Sequence, residues 1–331
     1  MTSRLLGSAV IAAAMALTMT TVPLAGRGAP AADEDRTTRS FSPPRMPDGH
    51  PDMQGYWTNA TYTPLERPAE FGNKAFLTKD EAAAYAKRRN DQLLAQPKDN
   101  IHYDDAIWQS ERQTKGVSSL RTSLIYDPSD GKIPPMTAEG QKRADARAAA
   151  RKLRGPADNA QMRTLGERCI MWPHEGPPML PAGYFPNLQI VQGPNQFVVM
   201  QEIIHNARVV GFDGRAHLGS SIRQYYGDSR GQWDGDTLVV ETTNFNDATQ
   251  FRGSSSALKV TERFTMADRD TILYRFTVED PSTWTKPWSA EIPMVRTEDP
   301  IYEYACHEGN YGLPNILRAQ RVADAAAAGS K

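Results

Sequence analysis

From Asn187 onward the chain is a series of short stretches rich in Val, Ile, Thr, Phe and Tyr, set apart by turn residues and with no helical pattern between them. This limits the possible folds more than any other feature. "NLQIVQGPNQFVVMQEIIHNARVVGFDGR" offers three β runs, split at Gly193-Pro194-Asn195 and around His205-Asn206 and stopped by Asp213-Gly214. "IRQYYGDSRGQWDGDTLVVETTNF" (222–245) adds more, with Asp234-Gly235 as a tight hairpin signal. "LKVTERFTMADRDTILYRFTVEDPSTWTKPWSAEIPMVR" (258–296) continues the series, and "IYEYAC" (301–306) closes it. Strands joined by brief turns form an antiparallel meander, and such a sheet removes its unpaired edges most simply by closing on itself. The expected fold is mainly β: an antiparallel meander closing into a lipocalin-like barrel over 156–318, with an N-terminal α-helical segment packed on it.

The hairpin 258–279 carries the sharpest chemical clue. Leu258, Val260, Glu262, Phe264 and Met266 share one strand face because side chains alternate, and Ile272, Tyr274, Phe276 and Val278 share one face of the next. Matching the apolar faces sets Met266 opposite Ile272, Phe264 opposite Tyr274 and Glu262 opposite Phe276. Glu262 is then a carboxylate in an apolar, aromatic row. Burial raises a carboxyl pKa and makes a serviceable general acid or base. Alternatively the buried charge is paired, with Arg223, Arg252 or Arg208 as partner.

The N-terminal third is of another kind. "MTSRLLGSAVIAAAMALTMTTVPLAGRGAPA" (1–31) has an early Arg4, an apolar run and Ala29-Pro30-Ala31, the pattern of a cleaved secretory signal. A periplasmic or secreted location follows, with no membrane association after cleavage. Residues 32–54 read as a polar, proline-rich arm. In 55–155, "GYWTNATYTPLERP" suits a strand, and "RTSLIYDPSDGKIPPM" a short strand and loop. "TKDEAAAYAKRRNDQLLAQ" (78–96) and "TAEGQKRADARAAARKLRG" (137–155) read as helices with threonine caps and early acids. The tail 319–331 is a frayed helix or disordered. With 38 basic against 39 acidic residues, nothing marks a nucleic-acid partner.

The 2 cysteines, Cys169 and Cys306, are the sole possible pair, and in an oxidising compartment pairing is the commoner state. Joining them draws His174-Glu175 towards His307-Glu308. Two imidazoles and two carboxylates could ligate a divalent ion, but the spacing lacks a helical ligand pattern, and the expectation is no metal. No dinucleotide fingerprint, phosphate loop, haem attachment or nucleophile elbow occurs, so no cofactor is expected.

"GDSRGQWDGDTLVVETTNF", "ERFTMADRDTILYRFTVEDPSTWTKPWSAEIPM" and "IYEYACHEGNYG" resemble a large family of exported, mostly uncharacterised bacterial proteins, as do "ERCI" and "RTSLIYDPSDGKIPPM". The resemblance covers nearly all the mature chain and implies a shared fold, with no catalytic assignment to carry over. A second, weaker likeness, to lipocalin-like barrels, rests on the meander and on Gly55-Tyr56-Trp57.

Three functional readings follow. In the leading one the barrel acts on a small, largely apolar or aromatic molecule by lyase, isomerase or hydratase chemistry, with Glu262, His307 and Tyr274 moving protons. Arg223, Tyr225, Trp284, Trp288, Glu202 and Glu241 are the candidate substrate-binding groups. In the second the barrel is a small-ligand carrier. In the third it is carbohydrate-active, with tryptophans against the sugar and a carboxylate pair drawn from Glu202, Glu241, Glu262 and Glu291.

Overall fold

The computed structural model describes residues 41–94, 119–182, 184–204, 206–249 and 251–329, so the expected signal at 1–31 lies outside the described residues. Strands β1 (Gly55–Thr58), β3 (Asn187–Gly193), β4 (Gln196–Gln201), β5 (Ala207–Gly211), β6 (Asp228–Asp234), β7 (Thr237–Thr243), β8 (Lys259–Asp268), β9 (Thr271–Glu279) and β10 (Trp288–Thr297) follow one another around a closed nine-stranded barrel, sealed by β1 against β10. The short β2 (Ile125–Asp127) lies outside the ring, paired to β10.

Helices α1 (Lys79–Leu94) and α2 (Ala138–Lys152) form where the threonine caps predict them. Thr78 and Glu81 exchange backbone-to-side-chain bonds before α1, and Thr137 Oγ1 accepts from Gly140 N at the start of α2. A third helix, α3 (Gly312–Gly329), begins well before the expected tail.

The β8–β9 register is the one that the alternating apolar residues predict: Glu262 opposite Phe276, Phe264 opposite Tyr274, Met266 opposite Ile272. Val260, Glu262, Phe264, Tyr274, Phe276, Trp288 and Ile292 all face inward and are buried, so packed side chains fill the barrel. Each large apolar group contributes about 1.5–3 kcal/mol by leaving water. On β1, Trp57 is fully buried beneath the Arg296 guanidinium, 4.2 Å from its ring centroid. Position 55 must be glycine here, because a Cβ would sit 2.4 Å from Arg296 Nη1 and φ is +130°.

Three expectations change. The meander is not antiparallel throughout: β5 meets β6 in parallel through the single pair Gly211–Arg230, because residues 212–227 carry the chain back along the barrel before β6 starts. Consequently Arg223 and Tyr225 lie in that connection and not on a strand. Residues 301–305 form no strand, since β10 already closes the ring and the disulfide at Cys306 ties this stretch down instead.

The two ends of the barrel differ. At one, short hairpins link β3 to β4, β6 to β7 and β8 to β9, and the arm covers them through Arg45–Asp236 and the His50–Trp233 stack. The other end gathers the last residues of β1 and β4, the first of β5 and β6, and the longer connections. Among the described residues no helix is long and apolar enough to cross a membrane.

Candidate acid–base site

Glu262 is fully buried, and both of its oxygens are engaged. Arg208, from the start of β5, grips it bidentately, with Nη1 2.5 Å from Oε2 and Nη2 2.9 Å from Oε1. Tyr274 Oη donates to Oε1 at 2.8 Å. Burial works against the Arg208 charge, but Glu262 beside it more than offsets this and raises the guanidinium pKa. Burial, with the Glu262 charge adding to it, raises the Tyr274 phenol well above its ordinary value. Between them, the guanidinium and the phenol satisfy both carboxylate oxygens with charge-assisted hydrogen bonds.

Tyr274 also reaches beyond the barrel interior, its oxygen accepting from Met179 N at 2.9 Å. Met179 belongs to the segment "MWPHEGPPML", which crosses the end of the barrel where the longer connections gather. Gln201 Nε2 donates to Glu175 O at 2.6 Å, and Asn59 Nδ2 to Leu180 O at 3.1 Å, so β4, β9 and the chain just past β1 all hold the segment. Glu175 through Met179 are buried. Gly176 is required, since φ is +74° and a Cβ would fall 2.3 Å from Pro178 C.

This plug presents the chemistry that strand alternation misses. Glu175 is only 4% exposed; its Oε2 accepts from Trp172 N at 2.5 Å, while its Oε1 has no hydrogen-bond partner. Burial pushes its pKa up to about 7, against the opposing pull of the Trp172 amide and the Tyr226 hydroxyl. Tyr226 stands just before β6, its oxygen accepting from Asn206 Nδ2 at 2.7 Å. Burial, then the Glu175 charge, raises the Tyr226 phenol well above its usual range. Next to Glu175, burial pushes His174 down to about 4, so its imidazole is neutral at pH 7 and its Nε2 has no partner.

The backbone around the plug is strained. Cys169, Phe185 and Ile204 have φ of 55°, 48° and 62°, and a left-handed β-branched residue is a genuine outlier. Cys169 and Ile204, with Ile203, form an apolar cluster flanked by Trp172, Tyr184, Phe185, Tyr304 and Cys306. The Cys169–Cys306 disulfide fastens the chain after β10 to this cluster.

The predicted site residues are mostly dispersed. Glu262 and Tyr274 come together. His307 is exposed in a turn after Cys306 and does not join them. Trp284 and Trp288 are buried against each other, with Trp288 packed on Phe276 inside the barrel, so neither offers a sugar platform. Glu202 lies past the end of β4, where alternation no longer applies, and its Oε1 accepts from Tyr302 N. Glu241 points outward to His217 and Lys259. Arg223 holds the carbonyls of Phe245 and Ser256, and Tyr225 O accepts from Thr249. Glu308 is exposed while Glu175 is buried, and among the described residues no three His, Cys, Asp or Glu groups are placed to hold a metal ion. The mark of the missed site is an acid in an otherwise apolar, proline-rich string, 172–180. Compared with protein-family models, curated proteins and solved structures, the chain matches none.

Proposed function

We propose that this is an exported barrel protein that acts on a small, largely apolar or aromatic molecule by acid/base chemistry, and that Glu175 is the group that moves the proton. The observation that carries this reading is a buried carboxyl with a pKa near 7 and one oxygen without a partner, so that both protonation states are populated at neutral pH. Glu262 takes the supporting role: locked between Arg208 and Tyr274, it positions Met179 and, through it, the plug. The filled barrel interior favours this reading over a ligand-carrying calyx and supports a site at the plugged end. Export rests on the signal pattern of residues 1–31 and suits a buried disulfide. Kinship with exported bacterial proteins rests on the long strings quoted above.

The test is incubation of the purified protein with extracts rich in phenolics, terpenoids and oligosaccharides, read by mass spectrometry. Product formation is expected for the parent and for Trp284→Phe, and is expected to vanish in Glu175→Gln. Turnover unchanged in Glu175→Gln would overturn the assignment.

A further inference from the structure

Resting on Glu175 as the proton-moving group, the geometry points to the substrate class: we propose that the site takes an uncharged carbonyl compound with an acidic C–H next to the carbonyl, Tyr226 being the second catalytic residue and Asn206 its positioning residue.

The argument starts from the tyrosine proton. Asn206 Nδ2 donates to Tyr226 Oη at 2.7 Å, which occupies one lone pair and turns the phenol into a donor. The backbone acceptor within reach, Ile170 O, is 3.4 Å away, long for an O–H···O bond. Asn206 Nδ2 also contacts Ile170 O at 3.3 Å, so the amide is braced from both sides. The phenol also lies beside the Glu175 carboxylate. Such a hydroxyl keeps its proton at any working pH, and its charged acceptor is the Glu175 carboxylate, a partner that a substrate carbonyl oxygen replaces once Glu175 has taken up a proton. A base beside a fixed neutral donor is the pairing that enolisation needs: one removes the proton, the other holds the charge that develops on oxygen. Among the described residues the other hydrogen-bond partners of Glu175 and Tyr226 are amides and carbonyls and not lysine or arginine, which favours an uncharged substrate over an anionic one.

Glu175 Oε1 takes the proton from the carbon beside the carbonyl. The C–H electron pair forms a carbon–carbon double bond, and the carbonyl π pair moves to oxygen, where Tyr226 Oη–H holds it. With a β,γ-unsaturated ketone, return of the proton from Glu175 to the γ carbon completes an isomerisation in which nothing is oxidised or reduced and the protein ends as it began.

The experiment uses cyclohex-3-en-1-one as probe in D2O, following conjugation by ultraviolet absorbance and deuterium at the α carbon by NMR. The parent protein is expected to accelerate both. Tyr226→Phe is expected to lose about 10²-fold in kcat with KM little changed, the loss typical of removing one such donor. It should also shift the rising limb of the pH–rate profile upward, because the phenol holds the Glu175 pKa down. Asn206→Ala, which leaves the phenol in place, is expected to show a smaller kcat loss, and it serves as the reading if Tyr226→Phe does not fold. Full activity in a folded Tyr226→Phe overturns the proposal. So does an inert probe alongside Glu175-dependent turnover of a compound without a carbonyl, an outcome that leaves Glu175 as the proton carrier. Probe turnover indifferent to Glu175→Gln overturns both.

Discussion

Two neighbouring residues, His174 and Glu175, respond to burial in opposite senses, and their effects on stability oppose each other. The folded-state pKa of Glu175 is raised, so its stabilising contribution is complete below the ordinary value of 4.5 and is lost as pH climbs through about 7. That of His174 is depressed, so its contribution is complete above 6.5 and is lost as pH falls towards about 4. Between 4.5 and 6.5 the two slopes cancel. Glu175→Gln should therefore be more stable than the parent by about 3 kcal/mol at pH 8 and equal to it at pH 4, measured by urea unfolding at each pH. The same carboxyl makes turnover rise with pH through about 7 if it acts as base. Glu262 behaves differently because it is paired. Arg208→Met strands its charge and should cost about 3–5 kcal/mol, whereas Arg208→Met with Glu262→Met should recover most of that loss in the same measurement. A double variant as unstable as the single one would show that the pair does more than satisfy itself.

Among elements, the hairpin β8–β9 was legible down to its register, because an uninterrupted alternation of apolar side chains on two strands allows one pairing that keeps both rows inside. Glu262 was legible for the same reason, as a charge that breaks the row, and Arg208 was among its possible partners. The plug was not. Residues 172–180 follow neither a period of two nor one of 3.6, and what makes Glu175 unusual is the long-range contacts from Gln201, Asn59 and Tyr274 that bury its segment. "IYEYAC" misleads in the other direction: it alternates like a strand, but every barrel edge is already paired when the chain reaches it. Tyr274→Phe tests how the plug is held. It removes the acceptor of the Met179 amide, so hydrogen exchange at that amide should speed up sharply while the amides of β8 and β9 keep their protection. The expected loss of stability is about 1–3 kcal/mol. Unchanged exchange at Met179 would mean that the prolines alone fix the segment.

At the scale of the molecule, the disulfide joins positions 137 residues apart, linking the chain after β10 to the plug side of the barrel. Loop-closure entropy values such a link at about 5 kcal/mol as an upper figure, so replacing both cysteines by serine should lower the unfolding free energy by several kcal/mol. Calorimetry with and without reductant checks this, and a reduced protein that melts with the oxidised one would contradict it. The ring itself is unevenly sewn. Eight of its nine seams are antiparallel, and the β5–β6 seam is held by the single parallel pair Gly211–Arg230. Arg208, Asn206 and Tyr226 sit on the two sides of that join. A wall that yields there first would open beside Tyr226 and Glu175 while the eight antiparallel seams stay paired.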